Sequence, residues 1–474
     1  MPGTFQTISI ESGSPVEWTE EENYMFRLSS FRDALVHHYR SNPTSIYPEQ
    51  YRQDTLRMLG EADSEPYKPG DISISRPRSR LNWGIQVPDD PSQTIYVWFD
   101  ALLIYLTGSG YPWSSASDMG CWPADLQIIG KDILRFHAIY LPAILRALSA
   151  PPYSMKGPYS AIEHPFARTI LAHAHWTSSQ KKMSKSLGNV ADPLEAIEKW
   201  GADVVRFYLM RVGGRWKDDV GEYLDCGWST PLPKLSFPDW SPAQLDKHHR
   251  EIQAQLGNYF LRIASPRFSE RVALVLQGGD ATLDRCFPEA MKRMLRSGVV
   301  DKQRLDSILD EDGRVVDPNI RLLQTVLALP EKVHEHMATF EVGLAIGEIM
   351  TVLKLVGQLL CFAFRCWPHH FLNSCLQRLI SSQANKTLSD IAPWTPDTPP
   401  TLLHTTRIVA LETIRIVGGC LEPFMPSISA KLKGALGVDS QVLKDHSQVD
   451  EGQDPADILW NRWTGHKIDA IRLF

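Results

Sequence analysis

DLQIIGKDILRFHAIYLPAILRAL, residues 125–148, sets a short apolar run in front of a longer periodic one. Asp125–Ile129 predicts a buried strand, Gly130 ends it, and Asp132–Leu148 predicts a helix. A second unit of the same kind lies upstream. Thr94-Ile-Tyr-Val-Trp-Phe99 predicts a buried strand, and Asp100 opens a helix that runs through Tyr105. Two strand-to-helix units in succession predict a parallel α/β sheet. Ligands of such sheets sit at the carboxyl ends of the strands, here Phe99-Asp100 and Gly130-Lys131-Asp132. A third strand, Arg168–His173, leads into a polar loop over Thr177–Asn189. Asp192-Pro193-Leu194-Glu195 then predicts a helix start, with Asp as N-cap, Pro at the first helical position and Glu at the third.

Outward from this core the text changes twice. Residues 25–62 carry helical spacings (Phe31, Leu35, Tyr39; Tyr51, Leu56, Leu59), while 64–92 are rich in Ser, Pro, Asp and Arg and predict loop. Residues 241–440 are mostly amphipathic helix, which predicts an α-helical second domain. No internal repeat is found. Three segments break the local pattern: 153–167, 221–238 and 356–383. With 474 residues, two to four domains are expected. Charged residues make up 22% and the net charge is −6, which excludes a disordered or supercharged chain but leaves room for a local basic patch. Seven cysteines occur without a CxxC pair, so a zinc knuckle is not expected and the thiols are read as reduced core residues. The longest apolar region, Val342–Phe364, is interrupted by Glu348 and Lys354 and predicts a buried helix. The acidic N-terminal stretch has neither a signal-peptide nor a transit-peptide pattern.

Lys182-Met183-Ser184-Lys185-Ser186 is the sharpest chemical feature. With Lys181 it sets three ammonium groups and two hydroxyls into six residues, ahead of Leu187-Gly188-Asn189. That set suits a triphosphate: cations offset charge developing on phosphate oxygens, and hydroxyls add hydrogen bonds.

The loop in its surroundings resembles the signature loop of the class I aminoacyl-tRNA synthetases, and within them the methionyl-tRNA synthetases. Ile95-Tyr-Val-Trp-Phe-Asp-Ala101 resembles that family's methionine-pocket strand, Ile128 to His137 its following strand and helix, and WTEEENYMFRLS (18–29) the segment after its connective insertion. The likeness runs from 15 to 222 and from 239 to 440, apart from 153–167 and 356–383. It implies an α/β then all-α fold: the C-terminal half of a Rossmann-type catalytic domain with the KMSKS region, followed by an anticodon-binding helix bundle. The implied division is 1–220 for the incomplete catalytic domain, 221–238 for an aberrant insert, 239–440 for the anticodon domain with its insert at 356–383, and 441–474 for a C-terminal segment.

The activity implied is ATP-dependent methionine–tRNA ligation. The methionine carboxylate attacks the α-phosphate of ATP, and the aminoacyl group then passes to the 3′ end of the tRNA. Lys185 would stabilise the ATP phosphates, supported by Lys182, Ser184 and Ser186, with Gly130 and Asp132 also at the ATP site. Asp100 and Asp132 are expected at strand ends, within reach of the ammonium group or the adenosine. Trp98, Ala101, Tyr105, Ile133 and His137 would line the methionine pocket, where a thioether needs aromatic and aliphatic walls. Tyr105 and His137 would add directional polar contacts. Leu141 stands where the family usually has Trp, which implies a wider pocket there. Asn258 and Arg262 share a helix face and, with Trp394 of Pro393-Trp394 as stacking platform, would read the anticodon.

The family's strand-to-helix turn with two histidines, its HIGH motif, is not found in this sequence. This implies a chain lacking the first half of the nucleotide-binding fold, with the three odd segments as retained introns. The rival expectations are a catalytically inactive tRNA-binding fragment and a class I synthetase for leucine, isoleucine, valine or cysteine. The partners implied are tRNA(Met), methionine and ATP with Mg2+. No structural zinc, no other metal site and no membrane are expected, and a monomer is. KMSKSLGN (182–189) and the lack of zinc cysteines resemble the mitochondrial enzymes of fungi.

Overall fold

The computed structural model describes residues 7–8, 15–17, 20–60, 70–113, 115–149, 165–178, 181–183, 188–213, 240–279, 282–287, 289–297, 318–353, 388, 391, 393, 398–437, 454–466, 468, 471 and 473. The segments 221–238 and 356–383, and all but the last three residues of 153–167, lie outside these. The chain divides into two compact units, Met1–His175 with 216–236, and 176–215 with 237–474.

In the first unit the strands are β1 Met25–Phe26, β2 Ile46–Tyr47, β3 Ile72–Ser73, β4 Ser75–Pro77, β5 Gln86–Val87, β6 Asp90–Ile95, β7 Leu126–Gly130 and β8 Thr169–His173. A parallel sheet of order β2-β8-β7 forms the expected α/β layer. β7 alternates, burying Gln127 and Ile129 and leaving Ile128 63% exposed. Leu28, Leu35, Tyr39, Ile46, Leu56 and Leu59 pack with Ile129, Leu134 and Ile170 into one core.

Two sequence expectations are corrected here. The run from Thr94 to Phe99 is not one strand. β6 ends at Ile95, a helix covers Val97–Gly108, and Trp98 and Asp100 lie in its first turn. β6 pairs antiparallel with β4 and β5 in a separate sheet. A continuous apolar run carries no period that separates strand from buried helix, so the boundary could not be located from the text. Residues 64–92 likewise hold β3, β4, β5 and the start of β6 rather than loop alone.

The predicted helix after β7 forms with a distortion. Lys131–Ile133 is a 3-10 turn, Phe136–Tyr140 a π-turn, and Leu141–Ser149 regular α-helix. Pro142 has no N–H for the Ala138 carbonyl four residues earlier. The buried Tyr39 hydroxyl donates to that carbonyl at 2.5 Å instead.

Apart from the antiparallel pair Thr177–Ser178 and Lys181–Lys182, the elements among the described residues of the second unit are helices, as expected for 241–440. Asp192 caps the helix Pro193–Trp200 by accepting from Leu194 N–H at 2.7 Å, and Pro193 stands at its start, as the sequence predicts. Gly201, at φ +82°, turns the chain into Ala202–Gly213. Val204, Val205, Phe207 and Tyr208 share one core with Leu245, Ile252, Tyr259, Phe260 and the central helix Pro400–Leu421. Among the described residues no helix is long and apolar enough to cross a membrane. Of the described cysteines Cys286 is buried and Cys420 partly so, while Cys121 is exposed, a correction to the expectation of core thiols throughout.

Candidate functional site

The helix Val97–Gly108 packs beside the π-turn Phe136–Tyr140, and their facing side chains build the centre of the site. The Trp98 ring lies 5.1 Å from Tyr140 and 6.0 Å from Phe136, and Tyr105 lies 5.5 Å from His137. Trp98 Nε1 donates to Ser73 O at 3.0 Å, which ties its helix to β3. π-Turns recur at functional sites because the added residue re-aims the side chains around it.

Tyr105 Oη and His137 Nε2 are 2.7 Å apart, and His137 Nδ1 is 2.9 Å from Ile133 O. A carbonyl can only accept, so Nδ1 carries the proton. In the neutral ring Nε2 then accepts, and the Tyr105 hydroxyl donates to it. Burial lowers the His137 pKa, against the opposing effect of its bond to Ile133, and so favours this neutral form. Burial also raises the Tyr105 pKa. The sequence reading gave both groups polar contacts to a ligand and did not foresee this bond between them, in which the phenol proton is given to the imidazole. The wall they form offers no free proton, which suits an uncharged, weakly polar side chain such as a thioether better than a strong acceptor. Val97, Ala101 and Ile104 on the same helix as Tyr105 are exposed, as are Ile128 on β7 and Ile133 in the 3-10 turn. Leu141 is buried among Leu102, Leu106 and Trp122.

At the carboxyl ends of β7 and β8 a second group gathers. A Cβ on Gly130 would lie 2.7 Å from Asp132 Oδ1 and 3.9 Å from His173, so a larger residue here would push the Asp132 carboxylate aside. His175 Nε2 lies 3.7 Å from Asp132 Oδ1. His173 and His175 were missed in the sequence, although a His-x-His pair after a strand was a usable signal. Asp100 is exposed on its helix rather than at a strand end. Ser184, Lys185 and Ser186 lie outside the described residues. The backbone at Lys181–Lys182 pairs antiparallel with Thr177–Ser178.

In the second unit Asn258 and Arg262 are both exposed, one turn apart, with Leu261 54% exposed between them. The opposite face of Asn258–Ile263 buries Tyr259, Phe260 and Ile263. The buried Arg407 guanidinium donates to Ile263 O and so holds the C-terminal end of this helix. Burial brings the Arg407 pKa down to about 10. Arg271 donates to Pro393 O at 2.5 Å, fixing the backbone just before Trp394, which itself lies outside the described residues. Neither arginine was singled out by sequence, because both act across more than 100 residues of chain.

Residues 4–222, a little under half of the chain, match the family model described as tRNA synthetases class I (M). More particularly, the chain is similar to proteins named for methionine. It is 34% identical over 443 residues to "Probable methionine--tRNA ligase, mitochondrial" of Neurospora crassa, with 92% of this chain and 57% of that protein covered. It is 33% identical over 439 residues to the mitochondrial methionine–tRNA ligase of Homo sapiens, covering 91% and 59%. Among solved structures, the methionyl-tRNA synthetase of Mycobacterium tuberculosis bound by methionyl-adenylate superposes with a TM-score of 0.63 at 27% identity, covering 99% of this chain and 72% of that one. The chain thus spans less than two thirds of the length of these two curated relatives.

Proposed function

We propose that this chain supplies the methionine-selecting and tRNA-reading parts of a methionine–tRNA ligase acting in mitochondrial translation. The observation that carries this is the self-satisfied Tyr105–His137 pair beside Trp98, in a chain aligned over nine-tenths of its length with methionine–tRNA ligases. On this reading Trp98, Ala101, Tyr105, Ile133 and His137 take the methionine side chain. Gly130 and Asp132 lie against the nucleotide, with His175 orienting the Asp132 carboxylate. Lys185, with Lys182, Ser184 and Ser186, offsets charge on the triphosphate as the methionine carboxylate displaces pyrophosphate from the α-phosphate. ATP arrives with Mg2+ as its counterion. The 3′-terminal hydroxyl of the tRNA then takes the aminoacyl group and AMP leaves. The protein's contribution is positioning and electrostatics.

Residues 1–220 serve activation, as part of a Rossmann-type catalytic domain with the KMSKS region. Residues 239–440 serve as the anticodon-binding bundle, and the protein works as a monomer. Asn258 and Arg262 read anticodon bases by edge hydrogen bonds, with Trp394 as the stacking surface that Arg271 positions. Filter binding of methionine tRNA tests the bundle. Arg262→Ala is expected to weaken binding about tenfold to a hundredfold while leaving binding of a tRNA with an unrelated anticodon unchanged. Equal loss for both tRNAs, or no loss for either, would contradict the assignment.

A further inference from the structure

The connection between β4 and β5 carries a feature that neither the methionine pocket nor the anticodon face uses. Its sequence is Arg78-Ser-Arg-Leu-Asn-Trp-Gly-Ile85. Trp83 is 77% exposed, the most exposed large apolar side chain among the described residues, and Ile85 beside it is 55% exposed. Burying an indole is among the larger gains a folding chain can make, so a Trp held out in water is unusual.

The backbone around it is fixed. Arg78 N–H donates to Ser92 O at 2.8 Å, Leu81 N–H to Pro77 O at 3.1 Å and Ile95 N–H to Ile85 O at 2.7 Å. Thr94 Oγ1 donates to Leu81 O at 2.8 Å. A Cβ on Gly84 would stand 2.3 Å from Thr94 Cγ2, so the chain at Gly84 lies flat against β6 while its neighbour Trp83 is held in solvent. The platform is therefore preorganised.

Its charge is positive. Arg78 and Arg80 are both exposed. Arg78 gives one N–H to the neutral Gln86 Oε1 at 3.3 Å, and among the described residues no carboxylate pairs with it. Arg80 pairs with Glu21, and Asp90, two residues before the Ser92 whose carbonyl takes the Arg78 N–H, is held by Tyr24 and Ser92. An exposed indole with an unneutralised guanidinium five residues away matches an unpaired nucleotide: a base to stack and a phosphate to neutralise.

We propose that Trp83 and Arg78 form a docking point for the unpaired 3′ end of tRNA. This rests on the ligase reading for the source of the RNA and deepens it. The probe is a fluorescein-labelled RNA hairpin of twelve base pairs with a four-nucleotide single-stranded 3′ tail. It has no anticodon loop, and a blunt hairpin serves as control. The wild-type chain binds the tailed hairpin more tightly than the blunt one. Trp83→Ala weakens binding of the tailed form about tenfold, to the blunt level, while Trp83→Phe, which keeps a ring, loses no more than about threefold. Arg78→Ala lowers the salt slope by about 0.7. Circular dichroism of the Trp83 variants matches wild type, because the side chain is exposed. Equal binding of tailed and blunt hairpins, or a Trp83→Ala variant that binds like wild type, overturns the proposal and leaves the platform to a protein partner. Loss of methionine-tRNA binding by Arg262→Ala with no Trp83 effect would sink this inference alone, whereas failure of full-length tRNA to bind at all would sink the ligase reading.

Discussion

Glu412→Ala is expected to destabilise the helical unit by about 3–5 kcal/mol. Glu412 is 1% exposed in the middle of the Pro400–Leu421 helix, and Arg415, one turn on, is 3% exposed. Arg415 donates to the carboxylate through Nε at 2.8 Å and Nη2 at 2.6 Å. Trp463 Nε1 adds a third bond at 2.9 Å, and Arg462 lies at 3.5 Å. Removing the carboxylate leaves a guanidinium and an indole N–H buried without their acceptor, and that loss dominates over the methylenes removed. Urea unfolding followed by circular dichroism reads the change in midpoint. The double variant Glu412→Leu with Arg415→Leu removes both charges and should recover most of the loss. A Glu412→Ala protein within 1 kcal/mol of wild type would show that the pair does not hold the C-terminal helix Pro455–Trp463 in place. The same network gives a pH signature. Burial pushes the Glu412 carboxyl up, but the hydrogen bonds and charge of Arg415 outweigh it and hold the group below its ordinary range. The unfolded chain therefore takes up this proton first as pH falls. The stabilisation is present above about pH 4.3 and is lost as pH drops through the lower folded value.

Tyr105→Phe is expected to raise KM for methionine about tenfold, with a smaller change in kcat and a loss of about 1–3 kcal/mol in folding stability. The phenol is half-buried, and its proton is the donor that satisfies His137 Nε2. Without it a buried imidazole nitrogen has no partner, a cost of about 1–3 kcal/mol that falls on the pocket wall. The wall also becomes less polar at this point, so selection of methionine over the fully apolar norleucine should narrow. The assay is amino-acid-dependent ATP–pyrophosphate exchange in the native protein containing this chain. An unchanged methionine-to-norleucine ratio would place sulfur recognition elsewhere.

What the sequence disclosed follows from how local each signal is. Asp192-Pro193 announced a helix start because capping is decided within three residues, and the capping bond is there. The strand Leu126–Gly130 was legible because Gly130 and the helical spacing after it bound it on one side. The helix at Val97 was not, since Ile95 through Phe99 is apolar without a period. What ends β6 is its pairing with Ile74 and Ile85 from a different part of the chain. The sequence singled out Trp98, Tyr105 and His137 but not the bond between the last two. No spacing rule says that a hydroxyl on one helix is spent on an imidazole 32 residues away. Tyr39 on Ala138, Arg407 on Ile263 and Arg271 on Pro393 were invisible for the same reason. β2, two residues long, carries no pattern at all, although it forms one edge of the parallel sheet.

The most direct test of the central claim is a charging assay on the native protein that contains this chain, purified from its source. Methionine, leucine, isoleucine, valine and cysteine are each supplied with ATP, Mg2+ and total tRNA. The account predicts that methionine alone is attached, and only to methionine tRNA. Attachment of any of the other four in its place, or tRNA binding without adenylate formation from methionine, would contradict it.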